Sequence, residues 1–384
     1  MNDLSLPEQF EQFSEARRNG FIKVKEIKEN GGLVAGVFCT FTPLEILDAA
    51  GILSVSLCGM SEETIPDAEG HLPKNLCPLI KSSYGFAISE KCPYFYFADI
   101  IIGETTCDGK KKMYELLGEI KDTHVMQLPQ GIDYDYAREV WIKENHRLIK
   151  ILQDKFNVEI SEEKLIAAAE MRNKLRTSQC QLMELSKLTP PPLKGYDLYK
   201  VLDGIGFNFD LNTLYEKINE IIDTTLKNYN EGLRPVSKDA KRILITGCPI
   251  GGVFDKIVST IEENAGVVVC FENCAGIKPA RYMVDTNAED IVTSISDRYL
   301  NIGCSVMSPN PNRMKLISQL VEEFKVDGVV EIVLQACHTY NIETKNIKNL
   351  VNSKSVPYIS IETDYSKFDL GQVKTRLAAF LEML

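Results

Sequence analysis

The sequence contains no Cys-x-x-Cys pair, only four histidines, one tryptophan, and no apolar stretch approaching the roughly 20 residues that a bilayer span requires. Each shortage excludes something. Without Cys-x-x-Cys, a zinc ribbon or a thioredoxin-type redox centre lacks its signature. Without a long apolar run, no membrane helix is expected. Basic residues are also in deficit, 43 against 54 acidic ones, for a net charge of −11. A chain with that balance has no cationic excess to neutralise phosphates, so a nucleic-acid partner is not expected. The N-terminal stretch MNDLSLPEQFEQ is polar and acidic, unlike a secretory signal, and a cytoplasmic location is expected.

What the sequence does have is strand–helix alternation at both ends. Short apolar runs at 33–38, 52–57, 98–103 and 124–128 read as buried strands, with helices predicted at 43–50, 73–86 and 110–119. Residues 136–155, 161–188 and 211–229 read as long helices, broken by Pro190-Pro191-Pro192. The alternation then returns, with strands at 242–246, 266–271, 328–334 and 357–361 and helices at 253–264, 288–300, 312–324, 341–352 and 371–384. Strands alternating with helices imply parallel pairing through βαβ units. The predicted architecture is α/β: two Rossmann-like parallel-sheet domains, 1–135 and 239–384, joined by a helical segment, 136–238, with the site in the cleft between the domains.

Eleven cysteines are the conspicuous surplus. In open parallel sheets ligands bind outside the carboxyl ends of the strands. Cys39, Cys58, Cys107, Cys248, Cys274 and Cys337 all fall just past a predicted strand, at that rim. Cys77, in the first turn of a predicted helix, and Cys304, in a loop between helices, can face the same cleft. Cys180, inside a helix, Cys270, inside a strand, and Cys92, placed ahead of a strand at the opposite end of the sheet, are read as structural. Sulfur donors gathered from separate loops suit an iron–sulfur cluster, because its irons take thiolates at tetrahedral geometry. A single zinc ion would leave several rim thiols unused.

Other motifs are weaker. Gly247, Gly251 and Gly252 form a glycine-rich strand-to-helix turn, a candidate cofactor-binding turn or simply a tight bend, but the G-x-G-x-x-G pattern is not matched. Thr106 to Lys112 (TCDGKKK) approaches a P-loop and fails at Glu104 and Lys111, so ATP hydrolysis by this chain is not expected. Its lysines read as a solvated helix face or a patch for an acidic partner. His338 adjoins Cys337 and is a candidate proton donor, or a loop histidine with an ordinary hydrogen bond. Glu104, Glu272 and Glu362 end strands at the rim and are candidate proton relays or substrate contacts.

The segments CTFTPLEILDAAG (39–51), NLCPLIKSSYGF (75–86), KCPYFYFADIIIGETTCDGKKKMYE (91–115), ILITGCPIGG (243–252), FENCAG (271–276) and DGVVEIVLQACHTY (327–340) together resemble the 2-hydroxyacyl-CoA dehydratase and benzoyl-CoA reductase family. The resemblance runs nearly the whole length and is strongest to the double-cubane cluster branch. It implies an oxygen-sensitive, anaerobic iron–sulfur oxidoreductase: a homodimer that holds an [8Fe–9S] double cubane and reduces small molecules. Electrons would come from a separate ATP-hydrolysing iron–sulfur activator. The alternative it implies is a dehydratase subunit, a lyase, with one [4Fe–4S] cluster held by three cysteines. The ligand set expected from the resemblance and from position is Cys39, Cys77, Cys107, Cys274, Cys304 and Cys337, with Cys248 and Cys58 as the nearest replacements.

Overall fold

The structure, a computed structural model, describes residues 8–384, with side chains from residue 19 onward. Helix α1 (Glu8–Glu29) precedes β1 (Leu33–Val37), α2 (Leu44–Ala49), β2 (Ile52–Ser56), the short α3 (Ile65–Ala68), α4 (Pro78–Ile88) and α5 (Pro93–Phe97). Then come β3 (Ile100–Glu104), α6 (Asp108–Gly118) and β4 (Thr123–Met126). Four helices follow: α7 (Ala137–Phe156), α8 (Glu162–Glu184), α9 (Gly195–Ile205) and α10 (Leu211–Asn230). The second half comprises β5 (Lys241–Gly247), α11 (Thr260–Glu263), β6 (Gly266–Phe271), α12 (Ile291–Leu300), α13 (Pro311–Glu323), β7 (Gly328–Leu334), α14 (His338–Ser353), β8 (Tyr358–Thr363) and α15 (Leu370–Glu382).

The strands form two four-stranded parallel sheets, ordered β2-β1-β3-β4 and β6-β5-β7-β8. The two orders are the same, so each half places its first strand internally and its second at an edge. Side chains alternate across the first sheet. Ala35, Val37, Ile100 and Ile102 pack into one core with Trp141, Leu148 and Leu152 of α7, whereas Val34 and Ile101 pack into the other. Helix α12, which follows the second sheet's edge strand, reaches across to pack on α7, and its Ile291 and Ile295 join the first sheet's core. Helix α8 packs on α2 and α10, and α9 on α1. The second sheet thus shares helices with the first, and the two sets of strand ends face one common space.

Local differences from the sequence expectation have local causes. Helix α1 is interrupted in sequence by Gly20, which reads against a helix, but a Cβ there would stand 2.7 Å from the Tyr94 hydroxyl. The predicted helix 253–264 is instead a 3₁₀ turn (Gly251–Val253), a π-turn (Asp255–Ser259) and then α11. Cys92 precedes β3 as expected, but with the unpredicted α5 between them: its sulfur accepts a hydrogen bond from the Phe95 amide at 3.3 Å and caps that helix. Among the described residues, no helix is long and apolar enough to cross a membrane.

Candidate functional site

A cavity of about 850 Å³ runs from the starts of β1 and β2, at Leu33 and Ile52, to the space where the carboxyl ends of both sheets converge, and eight cysteines line it: Cys39, Cys58, Cys77, Cys107, Cys248, Cys274, Cys304 and Cys337. Cys92, Cys180 and Cys270 do not line it. The eight thiols follow the repeated topology. Cys39, Cys58 and Cys107 follow β1, β2 and β3; Cys248, Cys274 and Cys337 follow β5, β6 and β7, the strands in the same sheet positions. The fourth thiol of each half, Cys77 or Cys304, sits on the crossover from edge strand to third strand. Parallel strands deliver their ends to one side of a sheet, so this placement is a direct consequence of the βαβ connections.

Within the cavity the thiols form groups. Cys77 and Cys248 neighbour Cys337 and hold its thiol well below the ordinary range. Cys248 sulfur also accepts the Leu334 amide at 3.4 Å. Cys107, Cys337 and Cys77 occupy the N-cap positions of α6, α14 and α4, where the helix dipole favours negative charge. Cys58 and Cys304 each lie near both Cys39 and Cys274. Cys58 donates to the Phe38 carbonyl at 3.0 Å. Burial pushes the Cys39 thiol far up, and the Lys110 ammonium, 3.1 Å from Cys39 sulfur, opposes this. Burial likewise raises Cys274, against the pull of Lys278.

Lys110 corrects the sequence expectation of a solvated lysine face. It is buried, donating also to the Phe38 carbonyl at 3.3 Å, while Lys111 and Lys112 pair with Asp108 and Glu115 at the surface. The signal was available: Lys110, Met113, Tyr114 and Leu117 share the buried face of α6 at helical spacing.

The predicted proton-handling residues separate. His338 lies exposed at the start of α14 and lines the cavity. Glu104 and Glu272 are fully buried and stand outside the lining. Glu104 accepts a hydrogen bond from Thr42, which does line the cavity, and its second oxygen has no hydrogen-bond partner. Burial raises the Glu104 carboxyl to about 7, against the pull of the Thr42 bond and Lys110. Glu272 accepts from the Thr246 hydroxyl at 2.5 Å and lies 3.4 Å from Arg313 and 3.9 Å from Lys278. Glu362 is the penultimate residue of β8, one short of the strand end expected for it, and stands outside the lining.

The glycine turn does not reach the cavity either. Gly247 holds φ +106°, and a Cβ there would stand 2.1 Å from the Ile332 carbonyl oxygen. At Gly252 a Cβ would stand 2.1 Å from the Met60 carbonyl oxygen, and at Gly251 2.9 Å from Met60 sulfur. These glycines let β5 and the following turn approach β7 and the first half closely. The remaining polar lining, which sequence reasoning missed, includes Arg172, Arg176, Arg298, Tyr299 and Tyr340.

Among the described residues, no group of three or more His, Cys, Asp or Glu side chains is gathered tightly enough to hold a metal ion. A lone zinc draws its thiolates to about 2.3 Å. A multi-iron cluster carries its thiolates on different irons and needs them spread around a space, as these eight are. The all-sulfur set therefore fits a cluster better than a single ion.

Comparison with known proteins bears on the same residues. The family described as 2-hydroxyglutaryl-CoA dehydratase, D-component, matches residues 39–384. An Escherichia coli (strain K12) protein named "Putative dehydratase subunit YjiM" is 50% identical over 380 residues, covering 99% of this chain and 98% of that one. The (R)-phenyllactyl-CoA dehydratase beta subunit of Clostridium sporogenes is 21% identical over 72% of this chain and 73% of its own. Subunit beta of the (R)-2-hydroxyglutaryl-CoA dehydratase of Acidaminococcus fermentans is 21% identical over 59% of each chain.

Proposed function

From the premise that the chain belongs to the 2-hydroxyglutaryl-CoA dehydratase D-component family, we propose that it is an iron–sulfur enzyme subunit whose cluster occupies the inter-sheet cavity. The observation that carries this reading is the convergence of eight thiols from both halves on one space, with the other three elsewhere. Such a cluster, when bound, supplies low-potential electrons for reduction or for radical elimination. The residues expected to hold it are Cys39, Cys77, Cys107, Cys274, Cys304 and Cys337. Cys248 joins them because it neighbours Cys337 on the cavity wall, and Cys58 because it neighbours Cys39 and Cys274.

The chain's own groups would do the rest. Lys110 donates to Cys39 sulfur and offsets thiolate charge in a buried wall. Glu104 can hold a proton near neutral pH and hand it to the cavity side through the Thr42 hydroxyl. His338 stands at the cavity's exposed edge as a second proton donor.

Eight thiols in two groups exceed what one cubane needs, which favours the [8Fe–9S] double cubane and a reductase. The names of the more distant relatives favour a dehydratase working on an acyl-CoA with another subunit, the reading that goes with a single [4Fe–4S] cluster by resemblance. Either chemistry calls for a separate ATP-hydrolysing electron donor. Iron and acid-labile sulfide per chain after anaerobic purification, with low-temperature paramagnetic resonance, separates the two: about eight irons against about four. A protein that takes up zinc but no iron on anaerobic reconstitution rejects both.

A further inference from the structure

Three arginines share a wall of the cavity: Arg172, partly buried, and Arg176, buried, one turn apart on α8, and the buried Arg298 on α12. Two of them are matched. Asp48 takes Arg172 through two bonds of 2.5 and 2.7 Å, and Glu45 takes Arg176. Glu45 also accepts the Tyr299 hydroxyl at 2.9 Å. Arg298 has no carboxylate within 4 Å among the described residues. Its Nε donates to the Tyr282 carbonyl at 3.1 Å and its Nη2 to that of Pro279, and its Nη1 has no acceptor there. Three guanidinium charges therefore meet two carboxylates, leaving one positive charge in a wall where Arg298 is only 4% exposed.

An unmatched buried charge is costly, so a group that carries one without a counter-ion needs an explanation. The Tyr299 ring, 4.2 Å from the guanidinium, offsets part of it. Tethering the Pro279 and Tyr282 carbonyls requires N–H donors only, and a neutral side chain supplies those. The remaining charge and the free Nη1 call for an anion from outside the chain. A planar guanidinium edge suits a carboxylate, and one surplus charge matches one carboxylate better than a phosphate dianion. Leu175, Leu202, Phe207 and Leu211 line the same cavity and offer an apolar surface for the rest of such a molecule.

We propose that this wall is a binding site for the carboxylate of a small organic acid with an apolar body, anchored on Arg298 and supported by the Arg172–Asp48 and Arg176–Glu45 pairs. Binding itself is independent of the cluster. Only the direction of the ligand's other end, toward the thiols, rests on the proposed function.

The test is anaerobic titration calorimetry on the full chain, with iron determined on the same sample. The probes are hexanoate, uncharged hexanamide and inorganic phosphate. Hexanoate is expected to bind at least tenfold more tightly than hexanamide and more tightly than phosphate, and Arg298→Gln is expected to lose at least tenfold for hexanoate alone. Equal affinity for acid and amide, tighter phosphate binding, or no hexanoate heat at millimolar concentration overturns the site. If Arg298→Gln does not fold, the acid–amide comparison on the unaltered chain decides. An iron-free sample that still discriminates acid from amide upholds the site while the cluster reading fails; an iron-loaded sample that does not discriminate has the opposite meaning.

Discussion

Arg313 and Glu331 meet at 2.9 Å with neither side chain exposed, at the centre of a buried ionic hub. The same guanidinium donates to Thr246 at 2.9 Å and pairs with Glu272 and Glu343. Thr246 and Glu272 each lie two residues before a cavity cysteine, Cys248 and Cys274, and Glu343 lies on the helix that Cys337 opens. Asn310 extends the hub, bonding Glu343 and the Cys304 carbonyl, each at 2.8 Å. One arginine therefore fixes all four cysteine-bearing loops of the second half.

Removing that guanidinium strands three buried carboxylates. Arg313→Met is expected to destabilise the chain by roughly 3–5 kcal/mol, the usual result of breaking a buried ion network from one side. Anaerobic urea denaturation measures it. A loss below about 1 kcal/mol would mean that the hub is not held by this charge.

Much of this was legible in the sequence, and the reasons are specific. All eight strands are apolar runs bounded by turn residues, and each predicted strand overlaps an observed one, down to identical limits for 266–271 and 328–334. Because parallel strands all point one way, the rim position of the cysteines could be read from strand ends alone. What escaped reading depends on long-range contacts. Helix α9 (GYDLYKVLDGI) carries a glycine at each end of its pattern, and a Cβ at Gly195 would meet the Val268 carbonyl at 2.4 Å, a packing reason invisible locally. The arginine wall is assembled from α8 and α12, more than a hundred residues apart in sequence, and no spacing rule joins them.

Glu262 offers a pH test remote from the thiols. Its carboxylate accepts the Gly195 amide at 2.6 Å, yet burial outweighs that bond and raises it to about 7. A carboxyl whose folded value exceeds its unfolded value, 4.5, binds its proton more tightly when folded. Its contribution to stability is full below pH 4.5 and lost as pH rises through about 7. Glu262→Gln has no such titration. The stability of the variant relative to the unaltered chain is expected to rise between these limits by roughly 2–3 kcal/mol and then level off. Denaturation midpoints across pH 4–8.5 check it, and a constant difference contradicts it.

The chain alone is expected not to bind ATP. In the segment that approaches a P-loop, Lys110 is turned inward to Cys39 sulfur and the Phe38 carbonyl and cannot reach a phosphate from outside. Calorimetry with MgATP and no other protein should show no saturable heat, and stoichiometric binding would refute this.

The cysteine substitutions carry the most information. Cys39, Cys107 and Cys337 line the cavity from β1, β3 and β7, and serine replaces a thiolate poorly on iron because the cluster prefers soft sulfur donors. Cys→Ser at each is expected to lower iron per chain after anaerobic reconstitution. Cys248→Ser is expected to behave like Cys337→Ser, because the two thiols neighbour each other and line one part of the cavity. At Cys180 and Cys270, away from the cavity, serine should leave iron unchanged. There it should cost only about 1–3 kcal/mol for a buried hydroxyl, more at Cys270, which is wholly enclosed in β6. Cys92→Ser should also keep iron, since a serine hydroxyl caps α5 as well as the thiol does. Iron analysis beside circular dichroism on each variant separates lost ligation from lost fold. If the Cys39, Cys107 and Cys337 variants fold and keep full iron, the cavity is not a cluster site. If only Cys248→Ser keeps full iron, its place beside Cys337 serves packing, and the ligand set returns to the six thiols expected from sequence.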